Sequence, residues 1–449
     1  MANLQQQQNE TGLAKYFEFG KHGTSYRKEI IAGITTFLAM AYILAVNPGM
    51  LSAAGMELEA VFTATAIAAV IGTLVMGVLA KYPIALAPGM GLNAFFTFSV
   101  VIGFGIPFDQ ALSGVLVSGI IFLILALTGI REAIINAIPS GLKHAAAAGI
   151  GLFIALIGLK NAGIVAANPD TLVGLGTFTE GTTLLGIFGI IVTALLMVRK
   201  LNGAIFYGIL VTAIVGMIFG LVETPSGFIQ APPNPDYLGD AIGPIFDFDS
   251  GFWTGQMWIV IFTFLFVDFF DTAGTLVGVA TQAGFIKDDK LPRAGRALAS
   301  DSVATIAGAL VGTSTTTSYV ESTAGVAAGG RTGFTAVVTA ICFALSLFLF
   351  PVVEVIANVG AVTAPALVMV GVLMASNLAK IEWEKLEEAV PAFLTAVMMP
   401  LTYSIATGIA LGFIVYPLTK IVKGEGHKVH WIMYFLFFVF LAYFIFVRE

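Results

Sequence analysis

The chain reads as an all-α polytopic membrane protein of about fourteen transmembrane segments, arranged as a 7+7 inverted repeat with two broken segments. Three observations predict this. Hydrophobic residues make up 58% of the 449 and charged residues only 11%, against about 25% charged in soluble domains, and mean hydropathy is +0.94. Apolar runs long enough to cross a bilayer recur from end to end. The loops between them alternate in charge, basic on one side and acidic on the other.

The runs follow in order. A polar tail, 1–28, carries Lys15, Lys21, Arg27 and Lys28, which places the N-terminus in the cytoplasm, and no secretory signal is visible. Spans are expected at 30–47 and 60–80, with Glu57 and Glu59 between them and Lys81 after them. Segment 88–104 is interrupted by Pro and Gly. The span at 110–128 follows Asp109 and precedes Arg131 and Lys143; the span at 144–163 precedes Asp170 and Glu180. The run 183–198 ends on Arg199-Lys200, and 204–221 leads into an acidic connection, Glu223 to Asp249, without a single Lys or Arg. In the second half, 257–280 precedes Lys287, Lys290, Arg293 and Arg296, and 297–311 precedes a second interrupted segment, 313–329, closed by Arg331. Then come 333–350, 364–378 before Lys380 and Lys385, 388–402, and 404–421 before Lys423 and Lys428. A last run, Trp431 to Val447, fits a further span or a helix lying in the interface.

The halves resemble each other weakly. Thr36-Phe37-Leu38 matches Thr263-Phe264-Leu265 at an offset of 227, Asn93 stands against Glu321 at 228, and Gly77 against Gly312 at 235. Seven spans per half would invert the second half relative to the first. In transporters built that way, the ligand site lies at the midplane between discontinuous helices.

The chemistry concentrates in few residues. Asp268 and Asp271, at i and i+3 of an apolar run, share a helix face. A carboxylate at mid-bilayer costs about 2.5–3.5 kcal/mol on insertion scales, so such acids face a polar interior and mark a path for something polar or for protons. The first broken segment reads Ala87-Pro88-Gly89-Met90-Gly91-Leu92-Asn93-Ala94-Phe95-Phe96, an extended piece expected to enter a half-helix near Asn93. The second, Thr313-Ser-Thr-Thr-Thr-Ser318-Tyr319-Val-Glu321-Ser322, has a hydroxyl run suited to extended backbone. The blander readings are a capping box at Ser318-x-x-Glu321 and an N-cap at Asn93. For Asp268, Asp271 and Asp301, the bland reading is structural bonding to backbone or a cap. Phe95, Phe96 and Tyr319 offer stacking faces or simple packing. Cys342 is the lone cysteine and forms no internal disulfide. The net charge of −6 leaves no nucleic-acid footprint, and zinc spacing, phosphate loop and nucleophile elbow are all absent from the sequence.

Four blocks carry a resemblance: residues 23–33 (Gly-Thr-Ser-Tyr-Arg-Lys-Glu-Ile-Ile-Ala-Gly), 87–96, 267–275 (Val-Asp-Phe-Phe-Asp-Thr-Ala-Gly-Thr) and 313–322. Together they resemble the purine permeases of the nucleobase–cation symporter-2 (nucleobase:ascorbate transporter-like) superfamily. Within it they are most similar to the azaguanine/hypoxanthine/guanine/adenine branch, over about 20–425. The resemblance implies a secondary active transporter of the cytoplasmic membrane that imports purine nucleobases by proton symport, with guanine or hypoxanthine ahead of adenine. It implies an elevator in which a core domain (29–128 and 257–350) moves against a gate domain (144–221 and 352–421), with tails at 1–28 and 422–449. On it, Asn93, Asp268 and Glu321 contact the purine, helped by Phe95, Tyr319 and Ser322. Asp271 and Asp268 handle the coupling proton, and Asp301 supports the core. No cofactor or metal is implied; the partners are purine, protons, membrane lipid and a second copy of the chain. The rivals are an anion exchanger on a related scaffold, disfavoured by three central acids with no central Lys or Arg, and a cation channel.

Overall fold

The computed structural model describes residues 12–128, 137–232, 246, 248, 252–286 and 291–446. Tail residues 1–11, Arg131, Asp249, Lys287, Lys290 and residues 447–449 lie outside the described residues.

Among the described residues, nine helices are long and apolar enough to cross a membrane. Two short tail helices, α1 (Gly12–Tyr16) and α2 (Phe19–His22), come first. They are pinned by Phe17 and Phe19, both buried and edge-on to Phe334. The first spanning helix is made of α3 (Tyr26–Met40) and α4 (Ile43–Leu51), with a break at Ala41-Tyr42. Next are α5 (Leu58–Val75), which widens into a π turn at Met76–Ala80, strand β1 (Leu86–Pro88), and half-helix α6 (Met90–Ala94) with its π-helical extension Phe95–Gly103. Then α7 (Phe108–Thr128), α8 (Ser140–Asn161), α9 (Gly181–Val198) and α10 (Ala204–Ile218) complete the first half.

The second half repeats the order with α11 (Gly255–Gln282), α12 (Ala294–Val311), strand β4 (Thr316–Ser318) and half-helix α13 (Ser322–Ala327). It continues through α14 (Gly333–Ser346), α15 (Phe350–Ala357), α16 (Gly360–Ala375), α17 (Leu386–Thr402) and α18 (Ile405–Val422). The last run forms α19 (Trp431–Phe446). It packs one face inward through Met433, Leu436 and Phe440, whose ring meets Phe262 and Phe413, while Trp431, Phe435 and Phe438 are exposed. Between α8 and α9 stands a hairpin absent from the sequence reading, β2 (Val165–Asn168) with β3 (Leu172–Leu175). Its turn is set by the Asn168 side chain, which accepts from the backbone N–H groups of Asp170 and Thr171 at 2.9 and 3.1 Å.

The helices pack in two groups. α12 lies against α5 and α7, and α14 against α3 and α5; separately, α8 lies against α16 and α17, and α9 against α10 and α16. At the centre of the first group, β1 and β4 pair antiparallel, Leu86 with Ser318, Ala87 with Thr317 and Pro88 with Thr316. Backbone away from water must find partners, and the free edges of this ribbon find them in matching threonines. Thr73 of α5 bonds both the N–H and the carbonyl of Leu86 at 2.9 and 3.0 Å. Thr305 of α12 donates to the Thr316 carbonyl at 3.0 Å. Thr73 and Thr305 are 232 apart, as are Met90 and Ser322, the first residues of α6 and α13. The half-helices are therefore offset by 232 and the strands, from Leu86 and Thr316, by 230, not by the 228 that aligns Asn93 with Glu321, and α6 begins at Met90, one turn before Asn93.

Candidate functional site

Close approach of helix to ribbon needs two glycines. A Cβ at Gly89 would lie 2.5 Å from Thr317 Cγ2, and one at Gly308 2.5 Å from Thr316 Oγ1. With both bare, α12 and the start of α6 sit against the strands, and the polar side chains of α11 and α12 reach them.

Asp301, fully buried on α12, is the anchor. Its Oδ1 accepts from the Ser318 N–H at 3.0 Å and the Ser318 hydroxyl at 2.9 Å, and its Oδ2 accepts from Thr272 Oγ1 at 2.7 Å. Thr272 also lies 2.8 Å from Thr317 Oγ1 and 3.4 Å from Asp268 Oδ1. A hydroxyl has one proton to donate; the short bond to Asp301 takes it, so the contact with Asp268 is the weaker one. Thr305 stands 3.3 Å from Asp268 Oδ2 while donating to Thr316 at 3.0 Å. Asp268 is 2% exposed. Asp271, one turn along α11 and half-buried, lies within charge–charge range of Asp301 and Glu321.

Neither capping role holds. The N-cap position of α6 is Gly89, and Asn93 sits inside the half-helix, 0% exposed. Its Oδ1 accepts from the Ser314 hydroxyl, and its Nδ2 has no partner among the described residues. Glu321 occupies the N-cap position of α13 without a capping bond. Its Oε1 accepts from the buried Tyr42 hydroxyl at the break between α3 and α4. Ser318 serves Asp301 instead of closing a capping box.

Of the remaining residues singled out from the sequence, Tyr319 and Ser322 bond at the ribbon, and Phe95 packs on α11. Tyr319 donates its hydroxyl to the Pro88 carbonyl at 2.5 Å, and its N–H to Ala85 at 2.9 Å. Ser322 Oγ accepts from the Ala85 N–H at 3.0 Å. Phe95 is fully buried, edge-on to Phe264 with centroids 5.0 Å apart.

Sequence reasoning missed Tyr42, Thr272, Thr305, Thr317 and Ser314. Thr272 had a signal, at i+4 from Asp268; Tyr42 had none. It also missed the task of Glu29, which is fully buried at the start of α3. Glu29 accepts from the backbone N–H groups of Arg331, Thr332 and Thr335 and from the hydroxyls of Thr24, Thr332 and Thr335. It thereby satisfies the first turn of α14. Among the described residues, no group of three or more His, Cys, Asp or Glu could hold a metal ion.

Apolar spanning helices wrapped around two facing strand–half-helix units, with buried acids behind them, define a multi-pass membrane transport protein rather than an enzyme. The model of the Permease family matches residues 27–411, and the chain belongs to that family, in its purine permease branch. It is 58% identical over 445 residues to the guanine/hypoxanthine permease PbuG of Bacillus subtilis, covering 97% of this chain and 100% of the relative. It is 44% identical over 414 residues to the adenine permease AdeP of Escherichia coli K12, covering 92% and 91%. Among solved structures, the transmembrane domain of the cyanobacterial bicarbonate transporter BicA is similar with a TM-score of 0.63 at 15% identity, covering 85% of this chain and 97% of that one. The murine anion transporter Slc26a9 in its inward-facing state gives 0.60 at 10% identity, covering 89% and 69%. At such identities the likeness concerns the fold alone.

Proposed function

We propose that the protein imports guanine and hypoxanthine across the cytoplasmic membrane by proton symport. The observation that carries this is the end-to-end 58% identity with a guanine/hypoxanthine permease. The site supports it chemically. Guanine and hypoxanthine present an N1–H donor, which a carboxylate accepts in a charge-assisted bond. Glu321 and Asp268 supply such acceptors, and the Asn93 Nδ2 atom, a donor without a partner among the described residues, suits a ring nitrogen or carbonyl. Tyr319 contributes a ring face, and Phe95 and Ser322 shape the half-helix ends. Asp271, with Asp268, takes the coupling proton. Asp301, fully engaged with Ser318 and Thr272, holds the core.

On this reading the chain makes fourteen crossings as two inverted sevens, with the N-terminus in the cytoplasm and lipid around the outer faces. The two helix packing groups and the threonine pair 232 apart support a core of 29–128 and 257–350 moving as an elevator against a gate of 144–221 and 352–421. The gate would also mediate pairing with a second copy. Adenine is the alternative substrate, favoured by the 44% identity with an adenine permease.

Uptake of labelled hypoxanthine, competed by unlabelled guanine, adenine, xanthine and uracil with and without a protonophore, tests the proposal. Competition by guanine and collapse with the protonophore are expected. Competition by adenine alone moves the chain to the alternative, and uptake indifferent to the protonophore refutes proton symport.

A further inference from the structure

A cavity of about 290 Å³ lies away from the ribbon, between α4, the extension of α6, the end of α8 and the α15–α16 corner. Its floor is Val46 and Leu367, both 2% exposed, and its rim holds the exposed residues Ala53, Asn161 and Asn358. We propose that this cavity is a vestibular subsite that takes a neutral, planar nitrogen heterocycle of purine size before it reaches the ribbon. The inference rests on the transport reading above and deepens it.

Several observations carry it. The cavity shares the first span with the site: Val46, in its floor, is one helical turn from Tyr42, whose hydroxyl holds Glu321. Phe98, in its wall, is three residues beyond Phe95 on the same π-helical extension. The lining includes no Asp, Glu, Lys or Arg, so an anion or cation would lose its hydration there without a countercharge, whereas a neutral ring loses little. The two rim amides each present a donor and an acceptor, the alternation found along a purine edge. The half-buried Phe98 adds an aromatic face, which suits a flat π system. The volume is at the small end of ligand pockets, about 300–1,000 Å³, as a single nucleobase needs. The space also lies toward the end of the first span remote from the tail, the outer end in the orientation proposed above, where an imported solute would arrive.

The test uses the full-length protein in intact cells, with Cys342→Ser removing the lone cysteine and Ala53→Cys placing a thiol at the exposed rim. A membrane-impermeant thiol reagent should label Ala53→Cys from outside, and hypoxanthine should slow the labelling. It should still do so when Asp268→Asn and Glu321→Gln disable the ribbon site, and the protection should vanish with Phe98→Ala. Labelling that hypoxanthine no longer slows in the Asp268→Asn, Glu321→Gln protein overturns the subsite, as does failure to label from outside. Separately, Asn161→Ala with Asn358→Ala should raise KM for hypoxanthine by about two- to tenfold, one amide hydrogen bond or more, with kcat little changed. An unchanged KM also overturns it. If the parent protein takes up no purine, the transport reading itself has failed, and that result is distinct from both.

Discussion

Asp268 and Asp301 lie 33 positions apart in the chain and share one threonine neighbour, and the proposed function gives them different work. Asp301 has three short donors, two of them from Ser318, so its carboxylate is a fixed part of the ribbon. Asp268 lies 3.4 and 3.3 Å from the hydroxyls of Thr272 and Thr305, and in the proposed function it accepts from the purine. Asp268→Asn should therefore abolish uptake while the protein still reaches the membrane, measured as transport against the amount in the membrane fraction. Tyr42 offers a second test at this scale. A hydrogen bond to a charged group contributes about 1.5–3 kcal/mol, so Tyr42→Phe should lower kcat/KM for hypoxanthine by about tenfold or more. In combination with Glu321→Gln the losses should fall short of additive, because both variants remove the same bond. Additive losses would mean that the hydroxyl acts elsewhere.

At the scale of elements, the ribbon exists because two interrupted segments each lack a partner. Neither three-residue strand is stable alone; each completes the other, and threonines of α5 and α12 close the outer edges. The fit tolerates no side chain at Gly308. Gly308→Val would drive a methyl into Thr316, and overpacking of this kind costs about 1–3 kcal/mol. The variant should unfold at a lower temperature in detergent than the parent and lose uptake, with Gly308→Ala milder on both counts. Equal melting of all three proteins would contradict the packing of α12 on β4. The β2–β3 hairpin escaped sequence reading because its strands are short and mostly solvent-facing, with Leu172 and Leu175 76% and 79% exposed. Its clearest mark was the Asn168-Pro169-Asp170 turn.

At the scale of the whole molecule, the proposed function couples a proton to a moving domain. Asp271 lies within charge–charge range of Asp301 and Glu321, so in the proposed function its protonation would relieve like-charge repulsion there. In the parent, uptake should rise as external pH falls and should collapse with a protonophore. Asp271→Asn mimics the protonated form permanently; its residual uptake should be flat with external pH. A pH profile in that variant parallel to the parent's would remove Asp271 from the coupling role. The two helix packing groups meet at contacts such as the Ser99 hydroxyl on the Tyr403 carbonyl at 2.9 Å and Phe266 on Phe413. The elevator movement proposed above would have to exchange these contacts.

The sequence by itself determined the class of protein, the two interruptions at 88–104 and 313–329, and the placing of Asp268 and Asp271 within an apolar run. Each of these follows from local composition: runs of apolar residues, Pro and Gly inside a span, carboxyls where lipid would forbid them. It could not determine the register of the ribbon, the partner of each acid, or the part played by Tyr42. The ribbon and the Tyr42–Glu321 bond pair residues more than 200 positions apart, and the aspartates meet hydroxyls on other elements, so the local pattern leaves several pairings equally plausible. Only the packing of α5 and α12 on either side, with a threonine on each and glycine where the backbone must come close, selects one register.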